Sequence, residues 1–347
     1  MDDPRLKKKK HIAYFDRFLG FVPASHQSMD INKLIVIYYS LCGQSILGVT
    51  ELYQKYPHAQ KCIRDMYYER EQFAGFLPSS LMDFGNPTNF SLPNTLFGLL
   101  CTLLLEDQHF LQNINKRKIF AFVQLCQDTI EGGFRSYIDK CGVDPVDIRY
   151  SYMAVSILHI LGCRTQDDFA NIINTEKLLD FIENKCYCTG TGGFSKSLEP
   201  HAGYTSCVAG IYHFLGRQCP FKDETTNWLV HRQVCNTIAV EHLNFDINDH
   251  GGIQGRENKF ADTCYAFWCI NSINYFGDGN IEFFDIPQVV EYLLEKTQNK
   301  VLGGFSKTNE DDSDVYHSFL GVATLGLVCG TFNGFLSLPK SICKQIE

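Results

Sequence analysis

Apolar residues in this chain gather into blocks with the length and spacing of helices. Such runs cover residues 150–161, 204–215, 264–275 and 317–328, with an earlier one at 34–47 and shorter ones at 177–184 and 286–296. Apolar–polar alternation longer than four residues is scarce, so helices and not strands are predicted to carry the core. A short word marks the breaks between blocks: Gly132-Gly133-Phe134, Gly192-Gly193-Phe194, Gly251-Gly252-Ile253 and Gly303-Gly304-Phe305. The words stand 60, 59 and 52 residues apart. A period of that size indicates repeated supersecondary units. The unit reads as helix, glycine turn, polar loop, helix, with glycine supplying positive φ at the turn.

Stacked helix pairs of this kind form either an open solenoid or a closed α/α barrel. The unusual polar residues all follow the glycine words, so the loops carrying them are predicted to meet at one end, on a rigid scaffold. The division expected is a flexible basic tail at 1–10 holding Lys7–Lys10, a single helical domain at 11–338, and a C-terminal tail at 339–347. Residues 81–93, rich in Asn, Pro and Ser, read as a loop.

With 347 residues, 45% of them hydrophobic, the chain can bury a large core, and length alone permits one domain or two. A net charge of −8 argues against nucleic acid as the main partner. The 15 cysteines are an odd number scattered through helical runs, and the Lys-rich start lacks an apolar leader. Reduced thiols in the cytoplasm fit that pattern. Residues 34–49 are the most membrane-like stretch, but Ser40, Gly43, Gln44 and Ser45 interrupt it, so no transmembrane segment is expected.

The candidate chemistry sits at the helix starts. Asp262 and Cys264 open one run and His317 opens another. Two positions apart, Asp262 and Cys264 share no helix face, but they converge if Asp262 is the N-cap. A carboxylate, a thiolate and an imidazole leave a tetrahedral zinc one open position, which is the catalytic pattern. Arg256 and Lys259 precede this site, and His201 occupies the equivalent loop one repeat earlier. Cations beside helix N-termini suit a diphosphate, and Tyr265 adds a hydroxyl. Tyr150, Tyr152, Tyr204 and Trp268 lie near helix starts; aromatic rings belong to the core by default, and a ring of them inside a barrel mouth would instead line a tunnel for a hydrocarbon chain. Asp311-Asp312-Ser313-Asp314 reads as a charged loop with a helix cap. Neither a phosphate-binding Gly-rich loop nor a serine nucleophile elbow is found.

These words resemble the β subunits of protein prenyltransferases over about residues 11–338. The strongest matches are Gly255-Arg256 with Asn258-Lys259, Asp262-x-Cys264-Tyr265 with Phe267-Trp268, Pro200-His201-x-Gly203-Tyr204-Thr205-x-Cys207, and Asp147-x-Arg149-x-x-Tyr152. The resemblance implies an all-α fold, an α/α barrel, and a heterodimer in which a helical-repeat α subunit wraps around this chain. It implies one zinc ion held by Asp262, Cys264 and His317. The diphosphate would be bound by His201, Arg256, Lys259, Tyr265 and Lys307. The isoprenoid tunnel would be lined by Arg149, Tyr152, Tyr204, Cys207, Trp268, Ile35 and Tyr39. Tyr150, Ser91 and Pro93 align with residues facing the acceptor peptide.

Within the family the chain resembles the type I geranylgeranyl branch. Lys307 stands ten residues before His317, where the farnesyl and Rab-type enzymes have an Asp that helps hold magnesium. A lysine there implies that magnesium is dispensable. The 34–47 run also lacks the Trp that shortens the farnesyl tunnel, and residues 11–47 are similar to the type I N-terminal segment. This branch takes geranylgeranyl diphosphate and proteins ending in Cys-a-a-X with X mainly Leu or Phe, such as Rho-, Rac- and Rap-like small GTPases. Ile35 departs from the small residue expected at the tunnel end, and Ser91, Pro93, Tyr150 and Leu320 depart at the peptide site. Rival readings are a farnesyl or Rab-type β subunit, or a zinc-stabilised helical scaffold without catalysis.

Overall fold

The computed structural model describes residues 1, 3–20, 31–83, 85–139, 141–235 and 247–346. In chain order the helices are α1 (Lys8–Gly20), α2 (Lys33–Ile46), α3 (Leu52–Lys55), α4 (Pro57–Asp65), α5 (Leu92–Leu104), α6 (Gln108–Asn113), α7 (Lys116–Cys126) and α8 (Ile148–Ile160). They continue with α9 (Gln166–Ala170), α10 (Thr175–Phe181), α11 (Ala202–Leu215), α12 (Lys222–Val230), α13 (Thr263–Phe276), α14 (Ile286–Glu291), α15 (Val315–Val328) and α16 (Lys340–Cys343). Besides short 3-10 and π turns there are three two-stranded antiparallel pairs among the described residues: β1 (Tyr67–Glu69) with β2 (Ala74–Phe76), β3 (Phe305–Ser306) with β4 (Ser313–Asp314), and β5 (Phe332–Asn333) with β6 (Leu338–Pro339).

Six helices, α2, α5, α8, α11, α13 and α15, pack each against the next, and α15 packs back on α2. The result is a closed inner ring, which decides for the barrel over the open solenoid. These helices are apolar on nearly every side; residues 318–327 of α15 are all buried. Outer helices bury only one stripe: α7 buries Ile119, Phe122, Val123 and Cys126, at helical spacing. No helix among the described residues is long and apolar enough to cross a membrane.

The glycine words set the spacing between layers. A Cβ on Gly132, Gly192, Gly251 or Gly303 would fall 2.2, 2.3, 2.6 or 2.2 Å from the carbonyl oxygen of Lys177, Glu224, Gln288 or Lys10. Each turn therefore presses against the backbone of the next outer helix: α10, α12, α14 and finally α1. All four glycines have positive φ. The aromatic residue of the word then donates its N–H to a hydroxyl on the inner helix, as Phe134 to Ser151 (3.2 Å), Phe194 to Thr205 (3.1 Å) and Phe305 to Ser318 (2.9 Å). Phe76 makes the same bond to Thr95 at 3.3 Å. Ala74-Gly75-Phe76 is thus a fifth word, missed in the sequence because an alanine stands first.

The N-terminal segment expected to be flexible is ordered, and the C-terminal tail, for which no order was predicted, is ordered too. Residues 3–10 are packed: Leu6 is buried, α1 begins at Lys8, and His11 accepts the Gly304 N–H at Nδ1 (2.9 Å) while its Nε2 meets Gln298 Oε1 (2.9 Å). Gln298 also takes the Lys7 N–H (2.8 Å) and donates to the Arg5 carbonyl (3.2 Å). Gln127 clamps Asn174 at the start of α10, and Gln233 clamps Asp285 at the start of α14, in the same manner. The lysine run misled because its side chains are solvated while its backbone is the last outer-ring contact. At the other end, Leu338, Ile342 and Cys343 are buried and Gln345 donates to the Leu103 carbonyl, so residues 339–346 are a packed closure. Residues 2 and 347 of these two segments, and residues 21–30 of the 11–47 stretch, lie outside the described residues.

Gly303→Ala forces the Lys10 carbonyl away and should lower unfolding free energy by about 2–4 kcal/mol. Gly279→Ala has similar positive φ but nothing within 4 Å of its Cβ, and should cost only about 1 kcal/mol. Denaturant unfolding of the two variants measures the difference, which is the contribution of the close contact.

Candidate metal centre and apolar cavity

The N-terminal ends of the inner helices are stitched to the next loop. The Leu92 N–H donates to the Ser136 carbonyl (2.7 Å), Ala202 to Gly255 (2.9 Å) and Thr263 to Lys307 (3.0 Å). This linkage brings the loops after the glycine words to one end of the barrel. Helix caps stand there too: Ser91, Asp147, His201, Asp262 and Asp314 cap α5, α8, α11, α13 and α15.

Asp262 has extended backbone, and its Oδ1 accepts the Cys264 N–H at 2.8 Å. That geometry lets two residues at i and i+2 face the same point. Asp314 accepts the His317 N–H (2.9 Å) and holds the imidazole Nδ1 at 2.5 Å. His317 Nε2 is thereby aimed at Asp262 Oδ1, 3.3 Å away. One ligand atom from each of Asp262, Cys264 and His317 lies within 4.8 Å of the others. Burial, then the Asp262 charge, pushes the Cys264 thiol up. Burial alone would depress His317, but Asp262 and Asp314 outweigh it and raise it to about 9. With no cation bound, the cluster therefore holds protons on sulfur and imidazole. A divalent ion replaces both, giving thiolate and neutral imidazole. One oxygen, one sulfur and one nitrogen donor, buried and convergent, fit zinc with an open fourth position, and Asp314 is the carboxylate that orients the ligand imidazole. Its orienting role was not read from the sequence; the available signal was an N-cap aspartate three residues before His317.

The predicted anion-binding residues come from three loops, at His201, at Arg256 and Lys259, and at Lys307, and from Tyr265 in the first turn of α13. His201 Nδ1 accepts the Gly203 N–H at 3.0 Å, so the ring proton sits on Nε2, 3.2 Å from the Tyr265 hydroxyl. Burial first, then Arg256 and Arg149, lower the His201 pKa and keep the ring a neutral donor. Tyr265 accepts that proton and can donate its own outward. Gly255 makes room for the Tyr265 ring, which a Cβ would meet at 2.0 Å. Arg256 pairs with Glu199 at 3.0 Å. Lys259 and Lys307 are exposed; the Lys307 carbonyl is fixed to the first residue of α13.

A cavity of about 400 Å³ opens beside these groups. Ile35, Tyr39, Arg149, Tyr152, Tyr204, Cys207 and Trp268 all line it, with His201 and Tyr316. Arg149 is held by both Asp147 oxygens (3.0 and 2.8 Å), its guanidinium 5.4 Å from the Tyr204 ring centre. Tyr38, Leu96, Phe97, Leu100 and Phe319 also form the wall and were not singled out. In the sequence, such residues on a fully apolar helix are indistinguishable from core. Tyr150, Ser91 and Pro93 are not part of this lining. Tyr150 is half-buried with its ring 6.0 Å from the Arg149 guanidinium, Ser91 accepts the Asn94 N–H at 3.2 Å, and Pro93 sits in the first turn of α5.

A closed ring of helix pairs with a metal-ligand trio beside an apolar cavity defines the class. The prenyltransferase alpha-alpha toroid domain model matches residues 6–338, and the chain belongs to that family. It is similar to the geranylgeranyl transferase type-1 subunit beta of Dictyostelium discoideum, 26% identical over 92% of this chain and 90% of that one. A protein farnesyltransferase subunit beta from Pyricularia oryzae is 26% identical over 91% of this chain and 62% of its own length. Among solved structures, Candida albicans protein geranylgeranyltransferase-I complexed with GGPP superposes with a TM-score of 0.85 at 30% identity, covering 98% of this chain and 97% of that one. The chain is therefore a prenyltransferase β subunit.

Asp314→Asn leaves the helix cap an acceptor but weakens the hold on His317. Zinc affinity, measured by chelator competition, should fall about 10–100-fold. Asp311→Asn, in the same acidic loop but bonded only to Thr308, should leave it unchanged.

Proposed function

We propose that this chain is the catalytic β subunit of a type I protein geranylgeranyltransferase. It transfers the prenyl group of geranylgeranyl diphosphate to the cysteine of proteins ending in Cys-a-a-X. The observation that carries the reading is the adjacency of a buried Asp–Cys–His cluster and an apolar cavity, with the bonded pair His201 and Tyr265 next to both. A hydrocarbon chain, a diphosphate and a thiol can then all be held at one point.

Zinc, when bound by Asp262, Cys264 and His317, supplies a cation that keeps the acceptor thiol ionised at neutral pH. The protein residues do the rest. The cavity wall, from Ile35 and Tyr39 to Trp268, holds the isoprenoid away from water. His201 Nε2–H, Tyr265 O–H, Arg256, Lys259 and Lys307 meet the diphosphate. The acceptor sulfur attacks the first carbon of the prenyl chain, the carbon–oxygen bond breaks, and the electron pair leaves on diphosphate. Donors aimed at that developing charge stabilise the transition state, each worth about 10²–10³ in rate. Tyr150, Ser91 and Pro93, at the ends of α8 and α5, face the arriving peptide. An α subunit completes the heterodimer, and the acceptors expected are Rho-, Rac- and Rap-like GTPases in the cytoplasm.

Lys307 favours the type I reading because it brings a fixed cation where a carboxylate would instead call for magnesium. Ile35 favours a second reading, a farnesyl enzyme, because its bulk shortens the tunnel. Both are separated by co-expressing the chain with a prenyltransferase α subunit and offering farnesyl and geranylgeranyl diphosphates with peptides ending in Leu or Ser. Geranylgeranyl transfer to the Leu peptide without magnesium is expected. Farnesyl transfer to the Ser peptide that requires magnesium would overturn the subtype.

Two variants probe the roles. Cys264→Ala should remove zinc and abolish transfer while leaving helical content unchanged; full activity would refute the metal assignment. Lys307→Asp should make transfer depend on magnesium, and a rate flat across all magnesium concentrations would sink the type I argument.

A further inference from the structure

The far end of the cavity is closed by the connection between β5 and β6. Gly334 and Ser337, both in this turn, are part of the cavity wall. The turn is rigid in itself: Asn333 Oδ1 accepts the N–H groups of Phe335 and Leu336, both at 3.1 Å. Ser337 has φ +54, a left-handed conformation that a non-glycine residue adopts only where its surroundings demand it.

The inner ring grips this turn from several sides. Tyr38, on α2, donates its hydroxyl to the Ser337 carbonyl at 2.5 Å. Tyr152, on α8, donates to the Phe335 carbonyl at 2.6 Å. Asn271, on α13, packs so closely under Gly334 that a Cβ there would fall 2.0 Å from its Oδ1. The same amide donates from Nδ2 to Ser206 Oγ on α11 at 3.1 Å, while Oδ1 is buried with no partner. Three of the six inner helices therefore meet on one turn, and α11 braces it through Asn271. Asn271 lies seven residues beyond Cys264, about 10 Å further along the helix axis, so the turn is on the side of the cavity away from the metal ligands.

We infer that the 334–337 turn is a hydrogen-bonded floor that sets the length of prenyl chain this cavity accepts, with Tyr38 and Asn271 as the residues that fix its height. This rests on the cavity being the prenyl tunnel. A chain with one more isoprene unit must push the turn down, which would unpair buried carbonyls and phenols together. A shorter chain leaves a gap above the floor and loses its contacts. Polar groups at the bottom of an otherwise apolar tunnel serve here to hold the backbone, leaving the turn little room to yield.

Affinities of farnesyl, geranylgeranyl and geranylfarnesyl diphosphates for the α–β heterodimer would be measured by displacement of a fluorescent prenyl diphosphate. Tyr38→Phe keeps the ring contacts with Phe97 and Phe319, at 5.2 Å each, and removes only the hydroxyl. Asn271→Ala opens space beneath Gly334. In both, the affinity of geranylfarnesyl relative to geranylgeranyl diphosphate should rise about tenfold, the size of one buried hydrogen bond. A merely structural role would weaken all three ligands in parallel; unmoved ratios in both variants overturn the floor. Should Asn271→Ala fail to fold, Asn271→Ser gives the same comparison. Wild-type heterodimer that binds none of the three would overturn the tunnel reading itself, a result distinct from an unmoved ratio.

Discussion

The approach of Gly303 to the Lys10 carbonyl closes this molecule. Four repeats make the same contact, a glycine Cα against the backbone of the next outer helix, but the last one joins residues 293 apart. Without it the stack of helix pairs is a solenoid with two open ends, and α15 has no reason to return to α2. The contact tolerates no side chain on the glycine and needs a helix at residues 8–20 to receive it. His11 and Gln298 exist in their pattern of bonds to hold that helix at this height. Closure turns six separate inner surfaces into one cavity, so the size and shape of the binding space follow from a backbone contact at the periphery.

The second consequence of the repeat is that the caps of the inner helices from α5 to α15 come to one end. A helix start asks for a side chain with an acceptor, held in extended backbone. On these inner helices the residues that meet that demand are Ser91, Asp147, His201, Asp262 and Asp314. Three of them belong to the candidate site: Asp262 has an oxygen to offer a metal while accepting the Cys264 N–H, Asp314 orients His317 while capping α15, and His201 keeps its tautomer by accepting from its own helix. The cap bond fixes each side chain before any ligand arrives. Precise placement of reactive groups is thus a by-product of helix initiation.

This double use explains what could be read from the sequence. The repeat, the helices and the metal trio were legible because glycine words, apolar runs and the Asp-x-Cys spacing are local features. All seven predicted tunnel residues face one cavity because they lie within the first turns of inner helices. The remainder was not legible for a physical reason in each case. Lys7–Lys10 looks solvated because side chains advertise charge while the contact that matters is made by a carbonyl. The Ala74 word is hidden by a single methyl group. Tyr38 and Asn271 resemble ordinary buried residues, since their partners, in the turn at 334–337, lie over sixty positions away.

A metal held by this cluster would have a chemical and not a structural place in the design. In a small zinc domain the ion substitutes for a core, and its removal unfolds the chain. Here the inner ring is closed by packing between α15 and α2 and by the contact of Gly303 with Lys10, and that last contact involves none of Asp262, Cys264 and His317. The metal-free cluster is also self-compensated: His317 is held protonated between two carboxylates, and the buried Cys264 keeps its proton. No uncompensated buried charge is left behind to force unfolding. A scaffold stabilised by zinc has no use for such an arrangement. It suits the proposed enzyme, which must bind its ion and then lend it to a substrate thiol.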